Sequence, residues 1–176
     1  MKPTLWKWQL VGFFFASLGG VLLHYLYDLT KGSYIAAIFS GVNESTWEHM
    51  KLLFFPLFIF AIIQSRYFQG YGNFWCIKIV GILTGILLIP VLFCTINGVF
   101  GKTPDWVNIG LFFVCAAAAF ITEVVLLKRN AFSCNNPRLA FAVLLIIGVL
   151  FSLFTFLPPR LPLFKDPLTG EYGIIE

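Results

Sequence analysis

Asn43-Glu44-Ser45-Thr46-Trp47-Glu48-His49-Met50-Lys51 runs without a break into Leu52-Leu53-Phe54-Phe55-Pro56-Leu57-Phe58-Ile59-Phe60-Ala61-Ile62-Ile63. Read as one helix from about Ser45 to Gln64, this stretch is long enough to cross the hydrocarbon core of a bilayer. Its charged groups then fall on the first two turns, where each is costly unless paired, hydrated or bound to something. Glu44, Glu48 and Lys51 recur at i, i+4 and i+7 and share one helix face, with Ser45 and His49 on the adjacent one. Asn43 or Ser45 can serve as the N-cap, and both carboxylates suit the positive field of a helix start. Capping accounts for one carboxylate. It does not account for His49 and Lys51 a turn further in, so the stretch reads as a candidate site.

The rest of the chain fits a membrane bundle. Of its 176 residues 59% are hydrophobic and only 11% charged, with a mean hydropathy of +0.88, which is more apolar surface than one soluble core of this size can hide. Four further apolar runs, at about 8–27, 75–96, 106–127 and 139–157, join the run at 45–64 to predict an all-α, polytopic membrane helix bundle of about five transmembrane helices. Tyr34 to Phe39 is apolar but too short to span, and reads as a re-entrant or interfacial segment. The membrane domain is expected to occupy 1–157. A tail at 158–176, stiff at Pro158-Pro159-Arg160-Leu161-Pro162 and turn-rich from Asp166 to Gly173, is expected to fold over the outer mouth of the bundle.

Gly12, Ala16 and Gly20, and again Gly81 and Gly85, recur every fourth residue and form faces that let helices approach closely, within the bundle or between copies in a homo-oligomer. Glu123 lies about a turn from the basic end of its run and can pair with Lys78 or Arg129. The twelve Lys and Arg are scattered at loop ends and not interleaved with aromatics, which leaves membrane lipid, not nucleic acid, as the expected partner. Cys76, Cys94, Cys115 and Cys134 show neither C-x-x-C spacing nor neighbouring histidines. The first three lie in apolar runs and read as small hydrophobes with no metal or redox role.

Five spans place the termini on opposite faces. With the N-terminus in the cytoplasm, Lys2, Lys7, Arg66, Lys78, Lys128, Arg129 and Arg138 lie inside, against Lys31, Lys51, Lys102, Arg160 and Lys165 outside, the expected bias for a multi-pass cell-membrane protein. The C-terminus is then extracytoplasmic, and His24, Asp28, Glu44, Glu48, His49, Asp166 and Tyr172 share the outer face. His24 and Asp28, at i and i+4, can hold one ion from one helix face. With His49 and Asp166 they form the expected ligand set for zinc or another divalent metal. Glu44 or Glu48 is the expected general base, and Lys51 or Tyr172 would steady developing negative charge. The expected activity is a metal-dependent hydrolase or transferase acting on a lipid or lipid-linked substrate at the outer leaflet. The alternative is a non-enzymatic bundle that binds or transports an ion or small solute, or serves as a partner-protein subunit. Against transport, Thr84 and Glu123 are almost the only polar residues at mid-membrane depth.

The run N-E-S-x-W-E-H-x-K at Asn43 to Lys51, the His24-x-x-x-Asp28 pair and the tail Leu163-Phe164-x-Asp166-Pro167-x-Thr169-Gly170-x-Tyr172-Gly173 together resemble a family of small, mostly Gram-positive bacterial integral-membrane proteins of unknown function. The resemblance covers nearly the whole chain and implies a membrane location without implying a reaction. Ser45-x-x-x-His49 with His24-x-x-x-Asp28 is also similar to the zinc-dependent ceramidase and progestin-receptor-like membrane hydrolases. Those have about seven spans and a further histidine pair, which this chain, with two histidines in all, lacks.

Overall fold

The computed structural model describes residues 4–101, 104–129 and 134–174. It contains α1 (Leu5–Leu29), α2 (Tyr34–Phe39), α3 (Thr46–Ser65), α4 (Phe74–Phe100), α5 (Asp105–Arg129) and α6 (Pro137–Phe156), followed by a single 3-10 turn at Pro162–Phe164. Five of these helices, all but α2, are long and apolar enough to cross a membrane. The chain is thus the expected all-helical, polytopic bundle with one short helical segment between its first two spans.

Helix ends follow local chemistry. Ser45 caps α3, its Oγ accepting from the Glu48 backbone N–H at 3.3 Å, while its own N–H donates to Asn43 Oδ1 at 2.9 Å. Asn136 caps α6 through Oδ1, which accepts from Leu139 N–H at 3.1 Å, and Pro137 supplies a first-turn residue with no N–H to satisfy. At the end of α1 the Thr30 hydroxyl donates to the Leu26 carbonyl at 2.8 Å, and the chain then turns through Lys31 and Gly32, both at positive φ.

The polar-headed helix is the centre of the bundle. Over its span α3 is 67% buried, against 22–33% for the other four, as expected of a helix apolar on every side. Phe54 stacks on Phe58 and reaches Phe151 of α6, while Phe60 meets Phe120 of α5 edge-on at 6.0 Å. Lipid tails are as apolar as these side chains, so the gain over lipid contact is close packing and not transfer out of water. Close packing is why the small-residue faces matter. A Cβ at Gly81 would overlap Glu123 Cγ and lie 3.1 Å from the Ala119 carbonyl oxygen of α5, and one at Gly20 would overlap the Phe112 ring. Both faces are filled within the chain.

Among the described residues two ion pairs are buried, at opposite ends of the bundle. At one, Lys51 on α3 places Nζ 2.5 Å from Glu48 Oε2 and donates to Thr155 Oγ1 of α6 at 2.6 Å and to the Ala37 carbonyl of α2 at 3.0 Å. Thr155 in turn donates to Glu48 Oε1 at 2.8 Å, closing a ring of three side chains that is out of contact with solvent. The ammonium thus donates two hydrogen bonds and faces the Glu48 carboxylate as an ion pair. At the other end Lys78 of α4 pairs with Glu123 of α5 at 2.5 Å, the partner nearer to hand in the fold than Arg129, with the Phe60, Phe74 and Phe120 rings within 5.8 Å of the ammonium.

The cysteines depart from the sequence reading. Cys115 is a small hydrophobe buried in the core, but Cys76 and Cys134 form a disulfide, with Cα atoms 6.0 Å apart. Their separation of 58 residues carries no spacing signal; only the packing of α4 beside α6 brings them together.

Two outcomes are expected from unfolding in detergent micelles. Lys78→Met and Glu123→Gln should each lower stability by about 3–5 kcal/mol, because each strands a buried partner, whereas the double replacement Lys78→Met/Glu123→Leu recovers most of that loss. Thr155→Val keeps the shape but removes the hydroxyl shared by Lys51 and Glu48, and should cost about 1–3 kcal/mol, with Thr155→Ser close to the parent.

Candidate metal centre

The polar residues of the α1–α3 connection are arranged by the loop before they meet any partner. Ser40, which is buried, closes α2 by donating from its hydroxyl to the Ala36 carbonyl at 2.7 Å. Asn43 is held from both sides, accepting from Ser45 N–H through Oδ1 and donating from Nδ2 to the Gly173 carbonyl of the tail at 2.7 Å. Its neighbour Glu44 is thereby aimed between the last turns of α1 and the first turn of α3. Glu44 Oε1 lies 3.7 Å from His24 Nε2 and Oε2 lies 3.5 Å from His49 Nε2, with the two imidazole rings 5.8 Å apart.

Ligand atoms about 2.0–2.1 Å from a tetrahedral zinc lie about 3.3–3.5 Å from one another. The two carboxylate–imidazole distances run to different oxygens of Glu44, and one atom from each of the three residues falls within 4.8 Å of the others, wider than that edge length but within reach of small side-chain rotations. His49 is also pre-oriented. Its Nδ1 lies 2.9 Å from the Ser45 carbonyl oxygen, which can only accept, so Nδ1 carries a proton and Nε2 is the ring nitrogen that faces Glu44. A backbone carbonyl on the distal nitrogen is the usual support of a metal-binding histidine. The three side chains remain 30–41% exposed, so the cluster is open on one side.

The other expected site residues are placed elsewhere. Glu48 and Lys51 turn into the bundle and are used up in the ring with Thr155, away from the imidazoles. Asp28 is exposed on α1 one turn beyond His24, and among the described residues its carboxylate has no hydrogen-bond or ion-pair partner. Asp166 is buried but committed to its own turn, Oδ1 accepting from Leu168 N–H at 2.7 Å while its backbone N–H donates to the Glu171 carbonyl. Tyr172 is half-buried and paired by its backbone with Lys165. Glu44, read from the sequence as a catalytic carboxylate, lies between the two imidazoles.

The tail packs against the same end of the bundle. Trp47 lies between Phe151 of α6 and Phe164 of the 3-10 turn, with ring centres 4.5 and 4.6 Å away. Sequence reasoning missed Thr155, a hydroxyl in an apolar run shared with Ser152, whose one available signal is that its span ends at the level where Lys51 begins another. Beside the cluster the Tyr25 ring meets His24 edge-on at 4.9 Å, and Tyr25 lies on an exposed apolar face of α1 with Leu18, Val21, Leu22 and Leu29.

No curated protein and no solved structure matches this chain. A family of unknown function, DUF6512, matches residues 1–174, so that a chain with a buried structural ion pair and an open His24–Glu44–His49 cluster at one end of a five-span bundle belongs to that family.

Proposed function

We propose that His24, Glu44 and His49 bind a divalent metal ion, zinc by their chemistry, and that the protein is a metal-dependent hydrolase or transferase acting on a lipid or lipid-linked substrate. The observation that carries this reading is the convergence of two imidazoles and one carboxylate, one atom from each within 4.8 Å of the others, with His49 oriented by the Ser45 carbonyl. Two histidines and a glutamate are a donor set of catalytic zinc sites, which keep a fourth position for water or substrate. An ion held there would polarise a substrate oxygen and lower the pKa of a water.

The chain's own residues set the rest. Asp28, one turn from His24 on the same helix, is the carboxylate left free to take a proton, since Glu48 is committed to Lys51. The exposed apolar face of α1 beside the cluster, with Leu18, Val21, Leu22 and Leu29, offers a surface along which a hydrocarbon chain could lie with its head at His24. The Lys and Arg distribution favours a cytoplasmic N-terminus and an outer-leaflet site.

A second reading rests on the same distances. Separations of 3.5 and 3.7 Å also suit carboxylate–imidazolium pairs, which would clasp α1 to α3 with no metal. Elemental analysis of protein purified without chelator separates the two. The metal reading expects about one zinc per chain. His24→Ala, Glu44→Ala and His49→Ala should each lose affinity by more than the about 10–100-fold that removal of an outer-shell partner costs. Glu48→Gln should keep the metal while melting earlier. Metal content should also fall on acidification, because protons compete for the imidazole lone pairs. Earlier melting of the histidine variants with no metal in any form would overturn the metal reading in favour of the clasp. Zinc-dependent turnover of lipid esters, phosphodiesters or amides in vesicles, lost in His49→Ala and reduced in Asp28→Asn, tests the reaction class.

A further inference from the structure

The disulfide lies at the end of the bundle opposite the metal cluster. Cys76 is in the first turn of α4, and Cys134 stands two residues before the Asn136 cap of α6, so the bond ties the start of one span to the start of another. Both cysteines are only half-buried, whereas Cys115 is sealed in the core. A small thiol or disulfide can therefore reach the pair from water.

The same end carries the basic excess. Among the described residues Lys7, Arg66, Lys128, Arg129 and Arg138 flank the helices there, against Lys31, Arg160 and Lys165 at the other end. Lys51 and Lys78 do not count toward orientation, because each is neutralised by a carboxylate inside the bundle. The positive-inside rule then places the disulfide on the cytoplasmic side. Thiols are kept reduced there, and a disulfide that persists is transient or regulatory and not a permanent staple.

We propose that Cys76 and Cys134 are a reversible redox pair at the cytoplasmic end of the bundle, closed and opened by exchange with the low-molecular-weight thiol pool. In closing, one thiolate attacks the sulfur of a low-molecular-weight disulfide and releases one small thiol. The second cysteine then attacks the mixed disulfide and releases the other. Two protein thiols and one small disulfide thus become one protein disulfide and two small thiols, and opening is the reverse. The closed form fixes the start of α6 against α4. The open form frees that end while Thr155 still holds the far end of α6 to α3, so the switch loosens one end of the bundle and leaves the metal cluster assembled. The proposal rests on the orientation given above and not on the metal.

The test uses the full chain in intact cells. Acid quenching, differential alkylation and peptide mass spectrometry give the thiol fraction of Cys76 and Cys134, with Cys94 as a thiol reference, and a reporter on residue 176 gives the orientation in the same cells. The expected result is an extracytoplasmic reporter, mostly free thiols at rest, near-complete pairing after a thiol oxidant such as diamide, and recovery when the oxidant is removed. Purified protein should melt higher when oxidised than when reduced, a difference absent in Cys76→Ser. A pair that stays bonded at rest, or that never forms on oxidation, would overturn the proposal even with the orientation upheld. A reporter on the cytoplasmic side would overturn the orientation and the proposal together, while zinc content would still judge the metal site alone.

Discussion

An ammonium group enclosed within a membrane bundle is the constraint on which much of this structure rests. A charge near the centre of a spanning helix costs about 2.5–3.5 kcal/mol even on lenient scales, and Lys51 has three N–H donors to satisfy. Thr155 and the Ala37 carbonyl accept from it and the Glu48 carboxylate faces it as an ion pair, and because these belong to α6, α2 and α3, meeting one residue's needs fixes three helices. The short α2 gains its role here. Too short to span, it is held where its backbone can accept from a lysine.

The same constraint shapes the candidate site. Successive residues on a helix point about 100° apart, so once Glu48 is drawn toward α6, His49 must turn toward α1. There it finds His24, and Glu44, steered by the doubly held Asn43, enters between them. One polar stretch is thereby divided into two parts of different character. Glu48 and Lys51 are shielded inside the bundle, while Glu44 and His49 stay partly exposed. The tail supports the division from outside, with Gly173 holding Asn43 and Phe164 covering Trp47.

The opposite end repeats the principle with different residues. Lys78 and Glu123 neutralise each other between α4 and α5, at the level where Gly81 lets the two helices approach. Three phenyl rings surround the ammonium and exclude solvent, which suits a fixed pair and not a conducting path. Cys76 lies two residues before Lys78, so when the Cys76–Cys134 bond is closed this end is held by an ion pair and a covalent link, and when it is open by the ion pair.

The number of helices, their approximate bounds and the membrane character were legible in the sequence, because apolar length and the absence of charge are local properties that a bilayer enforces residue by residue. That Asn43 to Lys51 must matter was legible for the same reason, since charges at the head of such a helix demand partners. The identity of those partners was not. Glu44 and Glu48 are chemically alike and four residues apart, and nothing local says that one turns to two imidazoles while the other turns to a lysine and a threonine. Thr155, Ala37 and the Cys76–Cys134 pair lie far along the chain from their partners, so only helix packing could decide them. Sequence determined which groups needed partners, since desolvation acts on each group where it stands; tertiary structure decided which partners they found, since a hydrogen bond or an ion pair depends on distances that no spacing along the chain contains.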